Sequence, residues 1–139
     1  MATKKVKDST GPTREAIMAQ LRDFALSLPG ALEDFPWDEP VAKVNKKIFV
    51  FLGSSPGERR VSFGVKLPES VDEALTFPDS ARMGYGLGKH NWVGVYFPAA
   101  SCPVDLCLEW IEESYRAIAP KTLVKQLDAD LRLAPPISL

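Results

Sequence analysis

Apolar side chains recur at helical spacing near both ends of the chain. The first stripe predicts a helix that begins at Thr13, a suitable N-cap residue, and ends at about Leu28, before Pro29-Gly30. The second stripe predicts a long helix that follows Pro103 and is broken by Pro120, with a last short helix over residues 121–127. The members of this second stripe are Val104, Leu108, Ile111, Tyr115 and Ile118.

Between these helices the apolar period falls to two, which predicts strands. Residues 60–67 alternate cleanly between apolar and small or polar side chains. Residues 41–45 and 48–52 predict two further strands joined by a tight turn around Asn45-Lys46-Lys47, and residues 54–57 supply the next turn. The strand over 48–52 is apolar throughout, as in a sheet centre or a strand covered on both faces. The three strands predict an antiparallel meander.

The remaining segments complete the predicted fold. Residues 31–40 are interpreted as an acidic loop that Phe35 and Trp37 pin to the core. A capping box from Ser70 to Glu73 predicts a short helix, and a glycine-rich stretch over 84–88 leads into a strand over 92–97. The predicted order is α-β-β-β-α-β(β)-α-α. Helices segregated from an antiparallel sheet indicate a two-layer α+β domain, in which the sheet packs against the helices.

Length and composition fit one globular domain. The chain has 139 residues, of which 45% are hydrophobic and 25% charged. We assign residues 1–12 to a flexible basic arm, 13–133 to the domain and 134–139 to a frayed tail. No apolar run approaches the roughly 20 residues of a membrane span, and residues 1–12 do not resemble a secretory signal. We therefore expect a cytoplasmic protein without a membrane partner.

Catalytic and metal chemistry find little support in the sequence. Cys102 and Cys107 would lie on different faces of a helix, and with one histidine they cannot supply four zinc ligands, so two reduced thiols are expected. That histidine, His90, has no Cys, Ser or acidic neighbour and is interpreted as a surface or turn residue, not a catalytic base. We predict a non-enzymatic protein with no cofactor and no metal.

Three further motifs favour structural interpretations. Gly84-x-Gly86-x-Gly88-Lys89 lacks both the spacing and the Ser or Thr of a phosphate-binding loop and precedes a strand, so a bent strand or bulge is expected. Trp92 is expected to pack in the core or at a sheet edge, although base stacking was the alternative. An acidic cluster is expected to be a solvated loop, not a cation site; it comprises Glu33, Asp34, Asp38 and Glu39.

Charge is the feature that points to a partner. The formal net charge is −1, which excludes a global attraction to nucleic acid, yet residues 40–67 concentrate positive charge on the predicted meander and its turns. The basic residues there are Lys43, Lys46, Lys47, Arg59, Arg60 and Lys66, with Arg82 and Lys89 as possible flankers. Basic hairpins suit the phosphate backbone, although lysines on edge strands also prevent aggregation between sheets.

The sequence resembles a known family, the MmcQ/YjbR family of small bacterial proteins. The similarity spans about residues 14–127, but many members have a histidine where this chain has Asn91. It rests on Pro29-Gly30-Ala31, Trp37, Lys43-Val44 with Lys47-x-Phe49, Val61-Ser62-Phe63 with Lys66, Tyr85-Gly86-Leu87-Gly88-Lys89-x-x-Trp92-Val93, and Glu113-Ser114-Tyr115. The resemblance implies a two-layer α+β fold likened to a double-wing DNA-binding motif, and members are commonly labelled DNA-binding.

Two functional hypotheses follow. The first is a nucleic-acid-binding domain, for DNA in the first instance, that contacts phosphates with its basic hairpins. It predicts no sequence-specific readout because no recognition helix is visible, and it predicts binding through the sheet because the long helix is acidic. The alternative is a protein-interaction or small-ligand module that uses an apolar groove between sheet and helices. Exposed Phe35, Trp37 or Trp92 would favour that alternative.

Overall fold

The computed structural model describes residues 13–53 and 57–133 of the chain. Its helices are α1 (Arg14–Ser27), α2 (Val71–Leu75), α3 (Val104–Ile118) and α4 (Lys121–Leu133). Its strands are β1 (Ala31–Asp34), β2 (Val41–Val44), β3 (Lys47–Phe51), β4 (Val61–Lys66), β5 (Ala81–Arg82) and β6 (Trp92–Phe97). Short 3₁₀ turns occupy Pro36–Asp38, Gly88–His90 and Ala99–Ser101.

The six strands form one antiparallel sheet in the order β1-β2-β3-β4-β6-β5. The helices pack on one face of this sheet, which we call the covered face. The α+β fold is confirmed, and the predicted element order holds except for the additional strand β1. Thr13 caps α1 as predicted, because its Oγ1 accepts a hydrogen bond from the N–H of Ala16 at 3.0 Å. Helix α4 continues to Leu133, beyond the predicted end at residue 127.

A β-bulge explains the unbroken apolar run of β3. The register shifts from Ala42 opposite Val50 to Lys43 opposite Ile48, so that Phe49 is an extra residue in β3. Both Phe49 and Val50 are therefore fully buried on successive positions. On the covered face, the Phe49 ring meets Tyr115 of α3 edge-on, with centroids 5.3 Å apart.

Residues 31–40 differ most from the prediction. The expected loop contains β1, because Ala31 to Asp34 find backbone partners along the free edge of β2. Phe35 and Trp37 do not pin this segment to the core, since they are 56% and 81% exposed. Trp92 and Trp110 are buried, as expected of core tryptophans.

Two predictions about local structure were wrong. Ser70 does not form the capping box, because its Oγ donates to Glu113 Oε1 on α3 at 2.6 Å. The glycine-rich stretch 84–88 is not a bent strand. It forms a hydrogen-bonded turn followed by a 3₁₀ turn, and only the short strand β5 precedes it.

Some predicted features lie outside the described residues. These are the arm over 1–12, the tip of the β3–β4 turn at 54–56, and the tail over 134–139. Among the helices that are described, none is long and apolar enough to cross a bilayer.

Candidate nucleic-acid interface

The antiparallel sheet divides the predicted basic residues between its two ends. Strand β3 starts at the turn that carries Lys46 and Lys47, and it finishes at the turn that leads to Arg59 and Arg60. At about 3.3 Å per residue, its length separates these turns by roughly 15 Å. The two predicted hairpin tips therefore do not form one continuous basic surface.

One end of the sheet gathers lysines from four strands and turns. Lys66 finishes β4 and lies opposite Trp92, the first residue of β6, while Lys89 lies in the 3₁₀ turn just before β6. With Lys46 and Lys47 at the start of β3, they make up what we call the lysine end: Lys46, Lys47, Lys66 and Lys89. Lys66 is half-buried and the others are exposed, and none of them makes an ion pair within the part of the chain that is described.

The turn at the lysine end has an unusual residue in it. Asn45 and Lys46 have φ angles of 52° and 69°, as in a type I′ two-residue hairpin turn. Glycine is strongly preferred at the second of these positions, because a side chain in the left-handed region costs roughly 1–2 kcal/mol. The chain places a lysine there instead.

The opposite end pairs one of its two cations, Arg60, with carboxylates. Arg60 Nε binds Glu58 Oε2 at 2.9 Å and Arg60 Nη1 binds Asp79 Oδ2 at 3.0 Å. The guanidinium also lies 4.7 Å from the centre of the Tyr96 ring. Hydrogen bonds from the Arg60 side chain, and then from backbone N–H groups, lower the pKa of Glu58 to about 2. We call this the arginine end: Glu58, Arg59, Arg60 and Asp79.

Two more of the predicted contact residues are engaged within the protein. Lys43 Nζ lies 2.6 Å from Asp34 Oδ2, which lowers the pKa of that carboxyl. Arg82 Nη1 donates to the carbonyl of Gly88 at 2.7 Å and holds the turn before Lys89. Arg59 is exposed at the arginine end. The predicted set is thus reduced, for direct phosphate contact, to the four residues of the lysine end, which lie together, and Arg59, which lies apart from them at the arginine end.

Sequence analysis overlooked Tyr85 as a candidate for the site. Its side chain is fully exposed at the tip of the glycine-rich turn, where its φ angle is 57°. The turn belongs to the lysine end because it joins the end of β5 to the start of β6, which lies at that end of the sheet. The signal available in the sequence was an aromatic residue between two glycines, Gly84 and Gly86. Only the structure shows that its ring is exposed to solvent.

Acidic residues line a groove on the helix side of the molecule. The groove, with a volume of about 350 Å³, lies between α3 and the segment after β4 and is lined by Pro68, Glu69, Glu109, Glu112, Glu113, Arg116 and Ala117. Glu113 accepts hydrogen bonds from the N–H groups of Glu69 and Ser70 at 2.8 and 3.0 Å. This acidic side agrees with the expectation that α3 does not face a polyanion.

The cysteines lie differently from the prediction. Cys102 precedes α3 and is not part of it, so its Sγ comes within 3.9 Å of the Cys107 Sγ instead of lying on another helix face. Both thiols are free, and burial raises the pKa of each. Neutral, shielded thiols are poor nucleophiles at physiological pH.

The other candidate ligands are dispersed or exposed. In the acidic cluster, Glu33 binds Arg22 at 2.7 Å and Asp34 binds Lys43, so these carboxylates do not converge. No group of three or more His, Cys, Asp or Glu side chains could hold a metal ion within residues 13–53 and 57–133. His90 is exposed in its 3₁₀ turn.

Comparison with known proteins gives the chain its family. It is similar to the crystal structure of Deinococcus radiodurans protein DR2400, which carries a DUF419 domain, with 26% identity and a TM-score of 0.59 over 94% of this chain and 95% of that one. No curated protein matches the sequence significantly. The sequence model of the YjbR family matches residues 26–117, which contain all six strands of the sheet and most of α3. The chain therefore belongs to the YjbR family.

Proposed function

We propose that this protein is a non-enzymatic nucleic-acid-binding domain whose phosphate contacts come from the lysine end. The observation that carries the proposal is the contrast in pairing: the lysines of this end make no ion pair within the described residues, whereas Arg60 and Lys43 do. An unpaired lysine can neutralise a phosphate without first breaking an ion pair. DNA is the first candidate ligand.

The strained turn supports a functional role for Lys46. A non-glycine residue in the left-handed region lowers stability, and such residues are concentrated at functional sites. In a type I′ turn, Asn-Gly would be the stabilising pair, so Asn45-Lys46 departs from the local rule at a position where a charge is presented to solvent. This departure is separate from the charge argument and points to the same residue.

The number of lysines sets the expected strength and specificity. Four phosphate contacts predict a slope of roughly −3 to −4 in a plot of log Kobs against log salt for duplex DNA. Binding of this kind is weak and largely independent of sequence, because no helix presents side chains to a groove. The acidic groove beside α3 repels phosphates and confines the contact to the lysine end.

The test is fluorescence anisotropy of a labelled mixed-sequence DNA between about 50 and 200 mM salt. The Lys46→Glu, Lys47→Glu double variant is compared with a Lys121→Glu, Lys125→Glu variant, which makes the same change in charge at exposed positions on α4. We expect the first variant to lose at least about tenfold in affinity and the second to lose much less. Absence of wild-type binding at low salt, or equal losses in both variants, contradicts the proposal.

A protein-interaction module is the second candidate, favoured by the exposed apolar side chains around β1. Leu32, Phe35 and Trp37 are 71%, 56% and 81% exposed. Such surface is more typical of a contact site than of a solvated loop. The expected groove is less well supported, because charged residues make up most of the lining of the groove beside α3 and five of the eleven lining residues of a groove beside α1. Concentration-dependent sedimentation that Trp37→Ser abolishes would support this alternative.

A further inference from the structure

We propose that Tyr85 is a stacking platform for an unpaired base, so that the ligand at the lysine end is single-stranded nucleic acid. This inference rests on the proposed function and narrows its ligand class. It depends on four features of the structure: the exposure of the ring, the rigidity of the turn beneath it, the strain at its backbone and the charge around it.

The turn that carries Tyr85 is fixed by hydrogen bonds on both sides. The N–H of Leu87 donates to the carbonyl of Gly84 at 3.1 Å, and the N–H of Gly88 donates to the carbonyl of Met83 at 3.0 Å. The N–H of Met83 in turn donates to the carbonyl of Trp92 at 2.9 Å, which joins the base of the turn to β6. The backbone beneath the ring is thus ordered, so that little backbone freedom is lost when a ligand binds.

Met83 anchors the same turn to the sheet. Gly64 and Gly94 lie opposite each other on β4 and β6, and both approach the Met83 side chain: a Cβ at Gly64 would lie 2.8 Å from its Sδ, and one at Gly94 would lie 3.9 Å from its Cγ. The two missing side chains leave a furrow on the sheet face opposite the helices. Met83 fills this furrow, and its anchoring leaves Tyr85 to face outward.

The backbone at Tyr85 is in a conformation that disfavours tyrosine. Tyr85 and Gly86 have φ angles of 57° and 80°, so both central residues of the turn are left-handed, as in a type I′ turn. Glycine, asparagine and aspartate dominate the first of these positions, and a bulky residue there is a genuine outlier. A tyrosine that contributes no packing, since its side chain is fully exposed, gains nothing for the fold from this strained position.

The surroundings of the ring identify the ligand. Lys89 is exposed four residues later, and Lys66 ends β4, which pairs with the start of β6, so the ring shares this end of the sheet with the lysines. Proteins that bind single strands combine a positive surface that follows the backbone with aromatic rings on which bases stack. In a duplex, only a terminal base pair offers its flat face to a protruding ring, so the single strand is the better match.

Trp37 shows why exposure and strain alone are insufficient. It is 81% exposed with a φ angle of 55°, close to the values for Tyr85. Its neighbours in sequence are Asp38 and Glu39, both exposed, which would repel a phosphate backbone. Tyr85 combines a fully exposed ring with a position at the lysine end, which Trp37 lacks, and Trp37 therefore provides a matched control.

The experiment measures anisotropy with labelled thymidine and uridine oligomers of about 15 nucleotides and with a duplex of the same length. It compares the wild type with Tyr85→Ala, Tyr85→Phe and Trp37→Ala, and with the Lys46→Glu, Lys47→Glu variant. Since stacking of one base is worth about 1–3 kcal/mol, we expect Tyr85→Ala to weaken single-strand binding roughly 5- to 150-fold. Tyr85→Phe and Trp37→Ala should stay near wild type, and duplex binding should change little. The thymidine and uridine arms show whether DNA or RNA is preferred.

The outcomes separate the two proposals. If Tyr85→Ala binds single strands as the wild type does while the lysine variant binds poorly, stacking is overturned and the phosphate site stands. An equal loss in Tyr85→Ala for duplex and single strand also overturns stacking. If the wild type binds neither ligand at about 50 mM salt, both proposals fail.

Discussion

The two turns that flank β3 each carry two adjacent cations in the sequence but present them very differently. At the arginine end, Arg60 is held by Glu58, Asp79 and the ring of Tyr96. At the lysine end, Lys46 and Lys47 extend from a turn with no carboxylate bound to them within the described residues. Arg60 is thus satisfied within the protein, whereas Lys46 and Lys47 are left to solvent or to a ligand.

This difference shows that a count of charges does not locate a binding surface. The sequence analysis gave equal weight to both turns because each carries two adjacent cations. Glu58 lies two residues from Arg60 and bonds to both its side chain and its backbone N–H, whereas Asp79 arrives from 19 residues away. The availability of a cation therefore depends on partners that the fold brings to it.

The largest predicted effect comes from breaking the frame that holds the lysine end to α3. The buried Ser114 Oγ donates to the carbonyl of Phe49 at 2.5 Å and accepts from the N–H of Lys66 at 2.9 Å. Ser114→Ala leaves both backbone groups unsatisfied, and we expect it to lower the free energy of unfolding by roughly 2–4 kcal/mol in urea denaturation. Ser101→Ala, at an exposed position, is the control. A loss below about 0.5 kcal/mol would mean that water replaces the hydroxyl.

A smaller effect sharpens the distinction between stability and binding at the lysine end. Lys46→Gly relieves the left-handed strain but adds freedom to the unfolded chain, and we expect a net stabilisation of about 0.5 kcal/mol. Lys47→Gly, within β3, should instead destabilise by roughly 0.5–1 kcal/mol. Both variants remove one positive charge and should weaken DNA binding alike. Thermal unfolding and anisotropy measure the two properties, and destabilisation by Lys46→Gly would refute the strain argument.

Removing the carboxylate partners of Arg60 tests whether they keep the arginine end from binding DNA. In a Glu58→Gln, Asp79→Asn variant, Arg60 keeps its charge but loses both ionic partners. We expect a few-fold gain in DNA affinity and a salt slope steeper by up to about 1. An Asp72→Asn, Glu73→Gln variant makes the same change in charge at exposed positions on α2. Equal gains in both variants would show that net charge alone is responsible.

The smallest effect is a titration. Since the pKa of Glu58 is lowered from 4.5 to about 2, any stability from its pairing is present above pH 4.5 and disappears as the pH falls through about 2. The contribution is modest because the pair is exposed to solvent. Side-chain carboxyl NMR should show Glu58 titrating at about pH 2, and Arg60→Gln should return its pKa toward 4.5. A wild-type Glu58 that titrates near 4.5 would show that the pair is not formed in solution.

Much of the fold follows from local sequence rules. The stripe of α1, its Thr13 cap and the alternation of β4 each predict their element correctly, because helix and strand periods are set by backbone geometry. The predictions that failed concern long-range partners. Strand β1 forms because β2 offers a free edge, and Ser70 does not cap α2 because its hydroxyl donates to Glu113 instead.

The candidate site divides in the same way. The sequence by itself determined that positive charge concentrates on residues 40–67 and that no catalytic cluster is suggested by spacing. Only the tertiary structure decided which cations remain unpaired, that the two basic turns lie at opposite ends of the sheet, and that the exposed ring of Tyr85 lies at the lysine end. The physical reason is that charge and hydrophobicity are properties of single residues, whereas pairing and exposure depend on distances between segments that are remote in the chain.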